Sequence, residues 1–204
     1  MQIYLARHGQ NEDNAGGILN GHRDLPLTAL GRIQAQQAAE MISKLGLRFD
    51  VVYTSPLSRA SETARLISEV TNQPMPIVHP LLVERNFGVM TGLPASRIKE
   101  LCAPEIILTD TITYFLSPEG AETFPDLIAR AKELLAELVI KHEGQTVLLV
   151  GHGDMGKMIY AAYYNLSWRE VLTQFHFGNS ELLLLSHDSP ATDAHVFSIS
   201  QHNH

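Results

Sequence analysis

The chain opens with MQIYLARHGQNEDN, residues 1–14. Ile3, Tyr4, Leu5 and Ala6 form an unbroken apolar run of the kind that is buried on both faces of a parallel sheet. The run stops on Arg7 and His8. Taken alone, a charge at a strand end is more often solvated than functional. A second run, Val147-Leu148-Leu149-Val150, stops in the same way on Gly151-His152-Gly153. Two rigid strands that both end on histidine point to a shared site.

Working outward, short apolar runs predict strands at Gln2–Ala6, Asp50–Thr54, Pro76–His79, Thr146–Val150 and Glu181–Ser186, with a weaker one at His195–Ile199. Helical spacing lies between them. Residues 28–46 place Ile33, Ala38, Met41, Ile42 and Leu45 on one face behind Thr28 as cap, and further helices fall at 58–70, 124–142 and 154–165. Strands alternating with helices give an α/β fold, a mostly parallel sheet with helices on both faces. The alternation breaks from about Val83 to Gly144. That stretch reads as an insertion over one edge of the sheet, within a single domain spanning residues 1–204.

The chain has 204 residues, 45% hydrophobic and 18% charged, with a net charge of −7. An acidic chain argues against general nucleic-acid binding, which needs a basic face. Small anionic substrates stay open, because a few placed arginines make a local positive pocket. Cys102 is the one cysteine, so no internal disulfide or thiolate metal cluster can form. There is no secretory signal and no apolar stretch near bilayer length, so a cytoplasmic protein without a membrane partner is expected. Oligomeric state is not readable. The tail, SISQHNH at 198–204, reads as polar surface.

Ligands of open parallel sheets bind beyond the carboxyl ends of the strands. Arg7, His8 and Gly9 follow the first strand, Arg59 follows the second within TSPLSRA, Glu84 follows the third within VERNFG, and His152 with Gly153 follows Val150. Two arginines, two histidines and a carboxylate on one rim suit phosphoryl transfer. Guanidinium forks bind phosphate oxygens in pairs. A neutral histidine can attack phosphorus and hold the phosphoryl group. A carboxylic acid of raised pKa can protonate the leaving oxygen and then activate water.

The segments RHGQNEDN, GHRDLPLTALGRIQA, YTSPLSRASETA, VERNFGVMTG and LVGHGDMG, in this order, resemble the histidine phosphatase (phosphoglycerate-mutase-like) superfamily, phosphatase-type branch, over about Ile3 to Asn179. The resemblance implies a three-layer α/β/α sandwich with a helical and loop insertion capping the site. It implies His8 as phosphorylated nucleophile, held through its other ring nitrogen by a backbone carbonyl. Arg7, Arg59 and His152 would complete the phosphate pocket, Asn14 would add a neutral donor, and Glu84, spaced from Gly88 and Gly92, would be the proton donor. Asn20 and Gly21, where the family often has Gln-Gly, are candidate substrate contacts together with Gly153. No metal or organic cofactor is implied. Asn11 departs from the family, which commonly has Ser or Thr there.

Glu100, Glu119 and Glu122 rival Glu84 on composition alone. His22, His79, His142 and His176 lack metal-ligand spacing and read as structural or exposed, with His176 a satellite of the site. Tyr114 and Phe115 read as packing residues, with a substrate cap as the other option. The expected activity is hydrolysis of a small phosphomonoester. Its rivals are a phosphoglycerate-type mutase, for which the family has a longer insertion rich in Lys and Arg, and a non-catalytic phosphoester- or protein-binding member of the fold. Arg85, Arg97 and Lys99 are the only cations between Glu84 and Arg130, which favours hydrolysis. Sugar phosphates, phosphoserine, nucleotide-like and cofactor-precursor phosphates all remain open as substrates.

Overall fold

The structure is a computed structural model that describes residues 1–188 and the backbone of His195–Phe197. The tail, with His202 and His204, lies outside the described residues. Six strands form the main sheet: β1 (Gln2–Arg7), β2 (Val51–Thr54), β3 (Ile77–Val78), β6 (Thr146–Gly151), β7 (Leu182–Leu185) and β8 (His195–Phe197), in the order β3-β2-β6-β1-β7-β8. β1 pairs in parallel with β6, and β2 in parallel with β6 and β3, whereas β7 runs antiparallel to β1 and β8 antiparallel to β7. The mostly parallel α/β sheet expected from the sequence is therefore present.

Side-chain alternation along the strands builds two cores. Ile3 and Leu5 of β1, with Val147 and Leu149 of β6, face α5 (Phe124–Lys141) and α6 (Gly153–Tyr163). Tyr4, Ala6, Leu148 and Val150 face α2 (Ala29–Lys44) and α3 (Ser58–Thr71). The result is a three-layer α/β/α sandwich.

α2 starts at the expected cap, Thr28, whose hydroxyl accepts from the Gly31 amide. Its buried face keeps Ala38 and Ile42 from the expected one but is rotated toward smaller residues. Ala35, Ala38, Ala39 and Ile42 are buried, while Ile33 and Leu45 are about half exposed. Small residues win this face because α2 and the loop after β1 approach closely. A Cβ on Gly9 would stand 2.3 Å from the Gly31 carbonyl oxygen, and one on Gly31 2.0 Å from that of Gln10.

The stretch from 83 to 144 divides in two, which corrects the expected insertion boundary. α5, capped by Thr123 and with Pro125 in its first turn, belongs to the helical layer, burying Phe124, Leu127, Ala131, Leu134 and Leu138 in the main core. The inserted part runs from the turn at Pro80–Leu82 to Thr123 and holds short turns, α4 (Ile98–Cys102) and a two-stranded ribbon of β4 (Ile106–Leu108) and β5 (Thr113–Phe115). It has a small core of its own, formed by Phe87, Met90, Ile98, Cys102 and Phe115. It lies over the carboxyl ends of the strands. Tyr114 and Phe115 occupy a strand where the sequence reads as loop, and they both pack and line the cavity beneath. Two other short helices, α1 (Glu12–Gly16) and α7 (Trp168–Gln174), complete the described elements.

Candidate active site

β1 and β6 are adjacent and in register, Arg7 opposite Gly151, so their ends deliver His8 and His152 side by side. The two rings lie edge to face with centroids 5.1 Å apart. His8 Nδ1 is 2.6 Å from the Gly9 carbonyl oxygen. That contact places the ring proton on Nδ1 and leaves Nε2 unprotonated, where it accepts a hydrogen bond from Arg59 Nε at 3.2 Å. The loop is clamped from several sides. The Gly9 amide donates to Thr63 Oγ1 and Gln10's amide to Gln34 Oε1, and Asn179 Nδ2 donates to the His8 carbonyl at 2.9 Å.

Arg59, in the first turn of α3, is fully buried. It is held by its Nη groups on the Arg23 and Gly21 carbonyls at 2.6 and 3.0 Å, with N–H groups left over for an anion. Gly21 therefore serves through its carbonyl and a left-handed φ of +50°. Arg7 Nη1 donates to the Phe177 carbonyl at 2.5 Å, while its Nε is buried without a partner. His152 Nε2 is 2.7 Å from Ser55 Oγ, and its Nδ1 is likewise buried without a partner. Ser55 Oγ already accepts from the Leu57 amide. When the hydroxyl donates to His152 Nε2, the histidine's own proton lies on Nδ1. Arg7 Nε and His152 Nδ1 are thus two unpartnered nitrogens in one buried cluster, and unpartnered buried polar groups are costly unless something pairs with them.

Burial lowers the pKa of His8 well below the ordinary value, reinforced by Arg59 and Arg7 and opposed by the Gly9 carbonyl. Burial, then Arg59, His8 and Arg7, does the same to His152. Both rings are neutral near pH 7. Burial also lowers Arg7, and it brings Arg59 down to about 10.

Glu84 is buried. Its Oε1 accepts from the amides of Arg85 at 2.9 Å and Met155 at 3.0 Å, and its Oε2 from Asp154 at 3.3 Å. The N-terminus of α6 is thus occupied by Glu84's carboxyl group. Burial raises the Glu84 pKa and neighbouring Asp154 raises it further, against these amides and Arg59. Its rivals stand elsewhere. Glu100 pairs with Arg97 and Glu122 with Arg130, and Glu119 is exposed.

A cavity of about 160 Å³ opens between this cluster and the insertion; Arg7, His8, Asn14, Asn20, Arg59, Glu84 and Gly153 all line it. Asn14 accepts from the Asn11 amide and from Asn179 Nδ2, both at 3.4 Å. Asn11 caps α1 and donates from Nδ2 to Asn20 Oδ1 at 2.5 Å, so the unusual residue 11 fixes residue 20. Ser55, Asn179, Asp154 and Lys157 were not singled out from the sequence. Ser55 stands inside TSPLSRA, and Lys157 is the one cation of an otherwise apolar helical stretch; these were the available signals. His22, read as structural or exposed, meets the Glu84 carbonyl at 2.7 Å. His79 and His142 bond Glu137 and Tyr53 instead. Among the described residues no three His, Cys, Asp or Glu side chains converge as a metal site, and no helix is long and apolar enough to cross a membrane.

The fold and this cluster define an α/β protein with a buried histidine pair, flanked by two arginines, at the carboxyl rim of its sheet. The family model of the histidine phosphatase superfamily (branch 1) matches residues 3–199, and the chain belongs to that family. The 2,3-bisphosphoglycerate-dependent phosphoglycerate mutase of Rhizobium etli is 30% identical over 174 residues, covering 83% of each chain. The equal shares make the two chains similar in length. Among solved structures, a mycobacterial glucosyl-3-phosphoglycerate phosphatase complexed with VO3 is 31% identical with a TM-score of 0.77, covering 91% of this chain and 92% of its own. Phosphoserine phosphatase from Entamoeba histolytica, in complex with 3-phosphoglyceric acid, is 25% identical with a TM-score of 0.72, covering 90% and 89%.

Proposed function

We propose that the protein is a phosphomonoester hydrolase acting through a phosphohistidine on His8, with Glu84 as proton donor. The observation that carries this reading is the His8 ring itself: Nδ1 anchored on the Gly9 carbonyl, Nε2 turned toward Arg59, beside unpartnered nitrogens on Arg7 and His152. The Nε2 lone pair attacks phosphorus as the ester P–O bond breaks, and the carboxyl proton of Glu84 passes to the departing oxygen. The cationic phosphoimidazole is stabilised by the Gly9 carbonyl. Glu84, now a carboxylate, takes a proton from water, whose oxygen attacks phosphorus while the N–P bond breaks and its electrons return to the ring. Arg7, Arg59 and His152 hold the phosphoryl oxygens throughout, with Asn14 and Asn20 as neutral donors at the rim.

Hydrolysis rather than mutase chemistry is favoured by the surroundings of the cavity's cations, since a mutase must also hold a substrate carboxylate. Arg85 is bound to Asp154 at 2.8 Å, and Lys157 to backbone carbonyls. The VO3 complex of the mycobacterial neighbour supports oxyanion binding in this architecture. The test is Glu84→Gln assayed with a good and a poor leaving group. We expect a loss of about 10²–10³-fold for alkyl phosphates and a much smaller one for nitrophenyl phosphate in the first step. Equal losses for that step would remove Glu84 as acid.

A further inference from the structure

Resting on the phosphatase reading, we propose that Asp154 is a positioning residue: by holding the Arg85 guanidinium away from Glu84, it leaves the Glu84 carboxyl group free to carry its proton. Arg85 follows Glu84 in the chain, and its own amide donates to Glu84 Oε1 at 2.9 Å. A buried arginine so placed is a ready partner for the carboxyl group, and pairing with it would keep Glu84 ionised. The guanidinium instead turns elsewhere. Its Nε meets Asp154 Oδ2 at 2.8 Å, its Nη1 donates to the Phe115 carbonyl at 3.1 Å, and it lies over the rings of Phe115 and Phe124 at 4.3 and 4.2 Å. The backbone of Asp154 reaches Glu84 as well, donating to Oε2 at 3.3 Å. One residue thus touches both the acid and the cation that would strip its proton. Among the described residues the Glu84 carboxyl group accepts from three amides and forms no salt bridge. Other groups face it across the cavity: Arg7 and His8 after β1, Arg59 on α3, Tyr114 on β5 and Lys157 on α6, with His152 behind His8. His22 and the Glu122-paired Arg130 of α5 bond its backbone carbonyl. Arg59 favours the carboxylate, whereas burial and the Asp154 charge favour the acid. A buried arginine that loses its carboxylate is left as an uncompensated charge, and Glu84 is the nearest group able to ionise in answer.

The test is the pH dependence of turnover in Asp154→Asn with two esters: benzyl phosphate, whose leaving oxygen needs a proton, and 4-nitrophenyl phosphate, whose leaving oxygen needs little help. The basic limb for benzyl phosphate should move about one pH unit or more toward acid. Its turnover at pH 8 should then fall about tenfold, while the rate near pH 5 and the first step with the nitrophenyl ester change little. Asp154→Glu should restore the limb. Lys157, which burial brings down to about 8 against the Asp154 charge, is the other group that can set a basic limb. Glu84→Gln separates the two: its residual single-turnover rate on benzyl phosphate should lack the limb, and adding Asp154→Asn should move nothing. A limb that shifts there as well would belong to Lys157 and overturn the proposal. In Asp154→Asn shown to be folded by circular dichroism, an unmoved limb, or equal losses with both esters at every pH, would make Asp154 merely structural and leave the phosphatase reading intact. The wild type decides even where the variant folds poorly: a benzyl phosphate limb in the ordinary carboxylate range, below about pH 5, would overturn the proposal. No His8-dependent phosphate release from either ester would remove the phosphatase reading and the Asp154 role together.

Discussion

The rim of the sheet and the insertion above it meet across one cavity but are built differently. The rim is held by strand register: β1 and β6 are hydrogen-bonded neighbours, and the positions of His8 and His152 follow from their pairing. The insertion has short elements, one small core and a two-stranded ribbon. Rigid strand ends suit side chains whose placement sets the chemistry. A locally packed cover can change its walls, and so its substrate, without moving those strands.

Disturbing the rim should therefore cost far more than disturbing the cover. Among changes that leave the reacting side chains in place, the largest effect is expected for Gly9→Ala, whose Cβ would collide with the Gly31 carbonyl at 2.3 Å. The backbone must shift, His8 with it, and kcat should fall about 10²-fold while stability drops by about 1–3 kcal/mol. Wild-type kinetics in that variant would show that the close approach does not position His8. Next comes Ser55→Ala, which removes the hydroxyl 2.7 Å from His152 Nε2. We expect about a tenfold loss in kcat, restoration by Ser55→Thr, and an altered acid limb of the pH profile. A loss of stability with an unchanged profile would make Ser55 merely structural.

The rim should also show in the pH dependence. Folded His8 and His152 have pKa values below the ordinary 6.5, so the unfolded chain binds more protons. Their contribution to stability is complete above about pH 6.5 and is lost progressively as pH falls toward the depressed folded values. Activity should hold to below that point on the acid side, and fall on the basic side as Glu84, raised by burial, loses its proton. Denaturant titrations across pH 4–8 check the first expectation; stability that grows as pH falls would contradict it. The smallest catalytic effect is expected for Phe87→Ala in the cover. It should lower stability by about 3 kcal/mol yet change kcat for a small aryl phosphate only a few-fold while altering ester preference.

The same contrast explains what was legible in the sequence. Arg7, His8, Arg59, Glu84 and His152 each follow an apolar run or stand in a short motif, so their convergence could be read locally. Ser55 reaches His152, and Asn179 reaches His8, across long stretches of chain; only the fold joins them. Of the expected α2 face, Ala38 and Ile42 are buried while Ile33 and Leu45 are about half exposed; the close approach at Gly9 and Gly31 is a tertiary contact that hydrophobic spacing does not reveal. In the insertion, Thr113–Phe115 is too short to show strand periodicity, and its partner Ile106–Leu108 is equally brief. The helix at Phe124 was assigned to the insertion because the break in alternation was taken to run on to Gly144, but its buried face packs in the main core.

The central claim is a covalent phosphoryl group on His8, and Glu84→Gln offers a direct way to see it. With nitrophenyl phosphate the first step needs little acid, while the second lacks its base. Rapid quenching followed by peptide mass spectrometry should find near-stoichiometric, acid-labile phosphate on His8, absent from His8→Ala. Sustained turnover with no phosphoenzyme, or phosphate on any other residue, would contradict the claim.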